Sequence, residues 1–241
     1  MPLAPTEISR NDDHRYGVGV APCVLMRDMN NTPGHESGST QPTVQTFTDA
    51  DRAVEYARML RAVTTKVPAP RVRSVDGTDV IHDVPAGSSG GELLNRDTAA
   101  AILSACGRTL AKIHRVDTTA AFENPSRPGV LVHGDFGPGR VRFRRRDLTV
   151  TGIVGWEHAR IGAAVEDLAW CEWSVRNAHP DCFDAVPHLY HGYGTDVPPW
   201  VTRQSVMLAT CRRMGDLAAR RKDGTATAWH RRAAITAAWR E

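Results

Sequence analysis

The sequence predicts an α+β fold in which strands precede a mainly helical C-terminal part. Residues 20–29 and 41–47 have the apolar, β-branched character that is typical of short strands. From residue 97 onward, most segments instead follow the pattern of amphipathic helices. A group of strands followed by a group of helices indicates an α+β chain.

The N-terminal elements can be placed in order from their turn and capping residues. The polar segment 30–40 contains Pro and Gly and separates the two predicted strands as a hairpin loop. Thr48 and Asp49 follow the second strand and can cap a helix that runs to about Val63. Residues 87–91, GSSGG, have the composition of a linker.

The C-terminal part begins with a helix over residues 99–114, which Asp97 and Thr98 can cap. A short strand is predicted at residues 150–154. Further helices are predicted over three segments, residues 165–176, 201–221 and 227–239. The Arg-rich segment 142–147 lies where a hairpin is expected, so a solvated turn is favoured there over a nucleic-acid patch.

Composition indicates a cytoplasmic protein without a nucleic-acid or membrane partner. The net charge is only +3 over 241 residues, and the five cysteines are scattered and odd in number. Such cysteines argue for a reducing compartment rather than a disulfide framework. No apolar run approaches the length that spans a bilayer, and the N-terminus has no signal-sequence pattern.

Two linked motifs carry most of the functional information. Residues 131–140 are LVHGDFGPGR and residues 153–159 are IVGWEHA. They resemble the catalytic loop and metal-binding turn of the aminoglycoside phosphotransferase family, whose usual patterns are His-Gly-Asp-x-x-x-x-Asn and Ile-Asp-Trp-Glu. The likeness continues through residues 161–170, IGAAVEDLAW, where the family usually has Gly-Asp-Pro before an Asp-Leu-Ala helix.

This resemblance implies a protein-kinase-like bilobal fold. The N-lobe, residues 1–85, would hold a small antiparallel sheet and one helix, and residues 86–241 would form a mainly helical, shortened C-lobe. In such enzymes one aspartate orients the attacking hydroxyl, while an asparagine and a second aspartate hold Mg²⁺. Asp135 matches the first position, but Arg140 and Gly155 stand at the two metal positions.

The resemblance also implies a phosphate-binding lysine in the N-lobe, and this sequence does not supply it. The second predicted strand places Gln45 at that position, and an alternative register places Arg27 there. The glutamate that pairs with the lysine falls on Tyr56, with Glu55 one residue away. The Gly-x-Gly within residues 16–20 is too weak a signal for a phosphate loop.

These departures predict a degenerate, pseudokinase-like member that binds neither a metal nor a nucleotide cofactor. Each lost electrostatic stabiliser commonly costs about two or more orders of magnitude in rate. Ordinary magnesium-dependent phosphoryl transfer is therefore not expected. A guanidinium at Arg140 can stand where a magnesium ion would, although it cannot bridge two phosphates and a nucleophile as the ion does.

The surviving polar residues are candidates for another role. Asp135 is the candidate general base, with His133 and Arg140 beside it as candidate catalytic residues, although a structural role is more typical of such a histidine. Asp167 is expected to brace the catalytic loop. Positions where the resembled enzymes meet substrates indicate further ligand contacts at Glu157, Glu166, Glu172, Tyr190 and His191.

Three functional hypotheses follow from this pattern. In the first, the protein binds or modifies a natural-product or ribosomal peptide precursor without a nucleotide, for example by cyclisation or elimination with Asp135 as the base. In the second, it is a non-catalytic pseudokinase scaffold for a partner enzyme of the same pathway. In the third, it remains a Mg-ATP phosphotransferase for a hydroxylated small molecule, with Glu157 supplying a metal ligand.

Overall fold

A three-stranded antiparallel sheet and one helix form the first part of the described chain. The structure is a computed structural model that describes residues 41–123, 125, 128–222 and 224–241. Strands β1 (Gln41–Thr46), β2 (Arg71–Asp76) and β3 (Asp79–Val84) pair in the order β1-β3-β2, and α1 (Ala50–Val63) follows β1. The predicted strand at residues 20–29, the loop at 30–40, the Gly-x-Gly and Arg27 lie outside the described residues.

Helix α1 confirms its predicted position. The Asp49 carboxylate caps it by accepting a hydrogen bond from the Arg52 backbone N–H at 2.9 Å. Its buried face, which includes Tyr56 and Leu60, packs against the sheet and the main hydrophobic core. Gln45 lies in β1 with only 1% of its surface exposed, opposite Val80 of β3.

The rest of the described chain is mainly helical. Its elements in chain order are β4 (Ser88–Ser89), α2 (Gly90–Leu93), α3 (Ala99–Ile113), α4 (Thr118–Ala121), β5 (Val130–Val132), β6 (Val141–Arg144), β7 (Thr149–Ile153), β8 (Arg160–Gly162), α5 (Ala164–Ala178), α6 (Pro187–Tyr193), α7 (Trp200–Arg221) and α8 (Ala226–Ala238). The helices predicted from sequence are confirmed to within two residues at each end. The Arg-rich turn is confirmed as the β6–β7 hairpin.

The Gly-Ser segment at residues 87–91 is not a linker, which corrects the prediction from composition. Ser88 and Ser89 form β4 and pair with Phe143 and Arg142 of β6. Ser89 then caps α2, because its hydroxyl accepts a hydrogen bond from the Gly91 N–H. Small residues here allow close packing against β6 rather than mobility. The boundary between residues 85 and 86 stays a prediction.

Close helix packing fixes the C-terminal part around the loop at residues 133–140. Helices α3 and α6 approach so closely at Gly107 that a Cβ there would lie 2.0 Å from the Leu189 carbonyl oxygen. Helix α5 packs on α7 through a second cluster that includes Trp173 and Met207. No helix in the described residues is long and apolar enough to cross a membrane.

Candidate functional site

An ion pair occupies the centre of the predicted catalytic loop. The Arg140 guanidinium donates two hydrogen bonds to Oδ2 of Asp135, one of them from Nε at 3.0 Å. The other carboxylate oxygen, Oδ1, accepts a hydrogen bond from the Trp170 indole N–H at 2.9 Å. Both oxygens of Asp135 are therefore engaged by side chains of the protein itself.

The turn that follows β7 leaves room for Arg140. Gly155 has a φ of +85°, in the left-handed region that favours glycine. A Cβ built on Gly155 would lie 3.0 Å from Cδ and 3.1 Å from Nε of Arg140. The arginine side chain thus fills the space into which a side chain at position 155 would project.

Asp167 braces this loop from beneath, as predicted. Its buried carboxylate accepts hydrogen bonds from the backbone N–H groups of His133 at 2.7 Å and Gly134 at 2.8 Å. The His114 Nε2 atom lies 3.1 Å from Oδ2 of Asp167. Burial would raise the pKa of Asp167, but these donors stabilise the carboxylate, and its pKa lies below the ordinary value.

Both ring nitrogens of His133 form hydrogen bonds with the backbone of the protein. The side chain is fully buried, its Nε2 lies 3.0 Å from the Val154 carbonyl oxygen, and its Nδ1 accepts a hydrogen bond from the Asp135 backbone N–H. Burial lowers the pKa of His133, so the ring is neutral at pH 7. A ring with both nitrogens engaged and no exposed surface holds the shape of the loop rather than contacting a ligand.

A cleft of about 540 Å³ opens above Asp135, and we call it the Asp135 cleft. Three helix faces form its walls, each with residues at spacings of three, four and seven. The first set is Trp170, Trp173, Ser174 and Asn177 of α5, and the second is Met214, Leu217, Ala218 and Arg221 of α7. The third is Thr225, which is the N-cap of α8, with Ala228, Trp229 and Arg232 of that helix. The loop at residues 133–140 forms the floor.

Comparison with known proteins agrees with this geometry. Residues 120–201 match the profile of the phosphotransferase enzyme family, designated APH. That segment contains the loop, the turn after β7 and the Asp167 helix, all in the structural order described above. The chain thus resembles the phosphotransferase enzyme family over the segment that carries the loop. No curated protein matches it in a direct comparison.

Solved structures of macrolide and aminoglycoside phosphotransferases share the fold. Macrolide 2'-phosphotransferase MphH from Brachybacterium faecium matches with a TM-score of 0.56 and 19% identity, over 84% of this chain and 86% of that one. A thermostable mutant of aminoglycoside phosphotransferase APH(4)-Ia matches with a TM-score of 0.60 and 12% identity, over 88% and 93%. APH(3'')-Id from Streptomyces rimosus, in complex with ADP and streptomycin, matches with a TM-score of 0.53 and 14% identity, over 70% and 85%. At these identities the likeness concerns the kinase-like α+β fold.

The phosphotransferase enzyme family implies a magnesium-nucleotide group, and the residues present do not fit one at this loop. Mg²⁺ takes oxygen ligands in octahedral geometry. Here Asp135 is bonded to a guanidinium, and Gly155 offers no side chain. Among the described residues, no group of three or more His, Cys, Asp or Glu side chains could hold a metal ion. Gln45, in the strand before α1, is an amide and carries no charge for a phosphate.

The ion pair and burial set the ionisation of Asp135 and His158 at the cleft. Burial would raise the pKa of Asp135, but the Arg140 guanidinium and the Trp170 N–H stabilise the carboxylate and hold its pKa below the ordinary value of 3.8. Burial is the main cause that lowers the pKa of His158, which also lines the cleft, to about 4. At pH 7, Asp135 is therefore ionised and His158 is neutral.

Two of the glutamates predicted to bind substrate serve other contacts. Glu166 lies in the first turn of α5, where it accepts a hydrogen bond from the Ala163 N–H at 2.8 Å and pairs with Arg160. It caps a helix whose N-cap residue, Ala163, has no side-chain acceptor. Glu172 is fully buried and accepts hydrogen bonds from Arg176, Arg203 and the Tyr190 hydroxyl, at 2.9, 2.6 and 2.6 Å.

The remaining predicted ligand contacts lie apart from the Asp135 cleft. Tyr190 is fully buried in α6, and its hydroxyl donates a hydrogen bond to Glu172. His191 is exposed on the same helix. Glu157 lines a separate pocket of about 550 Å³ beside α1, together with Tyr56 and Arg160. Burial raises the pKa of Glu157. Of the eight predicted residues, the structure brings only Asp135 and Arg140 to the cleft surface.

Most residues of the cleft walls were not predicted from sequence. Trp170 and Trp173 are buried, and their stacked rings form the wall next to Asp135. Trp229 and Arg232 had no motif to mark them. The one available signal was the repeated spacing of three, four and seven on successive helices, which also describes any buried helix face.

Proposed function

We propose that this protein binds a small-molecule or peptide precursor in the Asp135 cleft without using a nucleotide. The observation that carries this proposal is the ion pair between Arg140 and Asp135. It occupies the carboxylate that would orient a phosphate acceptor and fills the space of the missing metal ligand at Gly155. A cation fixed at this point repels Mg²⁺, so the loop supports ligand binding better than phosphoryl transfer.

The contacts of the ion pair also favour binding over base catalysis. A general base works best when its pKa lies near the operating pH. The Asp135 carboxylate has a lowered pKa, and both its oxygens already accept hydrogen bonds. It must lose Arg140 before it can accept a proton from a substrate.

Modification of the bound precursor is a second candidate, and one observation supports it. Asp135 keeps 15% of its side chain exposed and lines the cleft, so a ligand can reach it. A substrate carbonyl or carboxylate that drew Arg140 away would release Oδ2 for proton abstraction. Turnover by the wild type and by Asp135→Asn separates the two candidates. Base catalysis predicts that the wild type turns the precursor over and that Asp135→Asn binds it without turnover. Pure binding predicts no turnover by either protein.

Calorimetric titration with ATP, with and without Mg²⁺, tests the main proposal. We expect no magnesium-dependent binding by a protein whose circular dichroism shows it to be folded. Magnesium-dependent affinity in the micromolar range, about −8 kcal/mol, would overturn the proposal and return the Mg-ATP phosphotransferase hypothesis to first place.

The double variant Arg140→Asn with Gly155→Asp sharpens this titration. It restores the two side chains that the family pattern places at the metal positions, and it removes the guanidinium. We expect it to gain magnesium-dependent nucleotide binding over the wild type. Arg146→Asn, which changes an exposed arginine of the β6–β7 hairpin, is the matched control and should gain none.

The scaffold hypothesis makes a different prediction. A scaffold acts through its surface, so Asp135→Asn and variants of the cleft walls would leave the activity of a partner enzyme unchanged. Loss of that activity in cleft variants that fold normally would favour binding of the precursor instead.

A further inference from the structure

We infer that the Asp135 cleft is built for a ligand with a flat apolar body and an anionic group, the chemistry of an aromatic carboxylate or phosphate. The inference rests on the proposed function, because it names the ligand chemistry of the same cleft. Three features of the cleft support it: its aromatic rings, two arginines with no ion pair among the described residues, and its size.

Three tryptophan rings line the cleft. Trp170 and Trp173 are stacked with their ring centres 4.2 Å apart and an angle of 4° between the planes. The Trp229 ring lies 6.1 Å from Trp170 and 6.0 Å from Trp173, tilted by about 30° to both. Trp229 is half-buried, so part of its surface stays available to a ligand. Trp170 and Trp173 are only 3% and 6% exposed, so the half-buried Trp229 ring is the aromatic surface on which a flat partner can stack.

Two arginines place positive charge on the same walls. Neither Arg221 nor Arg232 has a carboxylate within ion-pair distance in the described part of the chain. The Arg232 guanidinium lies 4.4 Å from the centre of the Trp229 ring, so its charge is held against the aromatic surface. The planar guanidinium matches carboxylate and phosphate groups through paired hydrogen bonds.

Negative charge on the walls is already neutralised. Asp135 is the sole carboxylate among the described residues that line the cleft, and Arg140 is bonded to it. His158 is neutral at pH 7 because its pKa is about 4. Among the described residues, a polycationic ligand would therefore meet two arginines without an ion-pair partner and no free carboxylate, which disfavours it electrostatically.

The size of the cleft suits such a ligand. Small-molecule sites usually measure about 300–1,000 Å³, and the Asp135 cleft measures about 540 Å³. That volume accommodates a two-ring aromatic acid, or one aromatic side chain of a peptide together with an acidic group. Ser174 and Asn177 on the α5 wall offer hydrogen bonds beside the rings.

A set of three naphthalene probes tests the charge preference at constant ring size. The probes are 2-naphthoate, 2-naphthyl phosphate and 2-naphthylmethylamine, titrated by calorimetry and by saturation-transfer NMR. We expect both anions to bind and the amine to bind at least about tenfold more weakly. The tighter of the two anions identifies the head group as carboxylate or phosphate. An amine that binds as tightly as the anions, or no binding by any probe, would overturn the inference.

Variants locate the binding in the cleft. Arg232→Gln should weaken both anions by about fivefold, the scale of an exposed charge pair, and leave the amine unchanged or tighter. Arg231→Gln changes the neighbouring exposed arginine, which does not line the cleft, and should have no effect. Trp229→Ala should weaken all three probes by about tenfold. Equal losses from Arg231→Gln and Arg232→Gln would mean general attraction to a basic surface and contradict the inference.

The two proposals fail in different ways. ATP is itself an aromatic anion, so magnesium-independent binding that Arg232→Gln weakens belongs to the Asp135 cleft. Magnesium-dependent binding that Arg232→Gln leaves unchanged would overturn the proposed function and leave the charge preference standing. Preferential binding of the amine without any response to Mg-ATP would overturn only the charge preference.

Discussion

Two aspartates of this chain lie in the same loop system and have opposite surroundings. Asp167 is fully buried and accepts hydrogen bonds from two backbone N–H groups, with His114 beside it. Asp135 lies at the cleft floor and is held by the side chains of Arg140 and Trp170. Asp167 matches the family pattern and contacts the backbone, whereas Asp135 matches it too but is paired with Arg140, which departs from it. The two can therefore be altered separately.

Replacement of Asp167 should give the largest effect. Asp167→Ala leaves two buried backbone N–H groups and His114 without their acceptor, so we expect a loss of about 3–5 kcal/mol in the free energy of unfolding. Urea denaturation monitored by circular dichroism measures it. Asp184→Ala, at an exposed position, should change stability by less than about 0.5 kcal/mol. A small effect of Asp167→Ala would mean that the loop does not depend on this carboxylate.

A smaller effect is expected where the turn after β7 meets Arg140. Gly155→Asp alone places a side chain at φ +85° and against the arginine, so we expect a loss of about 2–3 kcal/mol. Arg140→Asn in the same chain relieves the contact, so the double variant should be more stable than the sum of the single changes predicts, by about 1 kcal/mol.

Denaturation of the wild type, the two single variants and the double variant measures this coupling. Additive effects would contradict the view that Arg140 fills the space of a side chain at position 155. They would also weaken the proposed function, because that view is the reason why the residues present do not fit a magnesium ion.

The same comparison explains what the sequence could and could not predict. Family motifs with fixed spacing mark the loop, the turn and the Asp167 helix, so the fold and the position of Asp135 were predictable. The sequence does not show whether Arg140 contacts a ligand or pairs with Asp135, because the space beside Gly155 that holds the arginine side chain exists only in the folded chain. The wall residues Trp229 and Arg232 come from a helix far along the chain, and only tertiary packing brings them to the cleft.

Replacement of Asp135 should give the smallest loss in the free energy of unfolding, and the pH dependence of that loss separates the effect of charge from that of packing. Because its folded pKa lies below the unfolded value of about 3.8, the ionised carboxylate stabilises the fold above pH 4, and this contribution is lost as the pH falls through the folded pKa. We expect Asp135→Asn to cost about 1–2 kcal/mol at pH 7, because Arg140 loses its counterion in a partly buried site. The difference from the wild type should stay constant from pH 7 to about pH 5 and shrink below pH 4. A difference that did not change down to pH 2 would show that Arg140 and Asp135 act through shape alone, and the electrostatic contrast between the two aspartates would then be wrong.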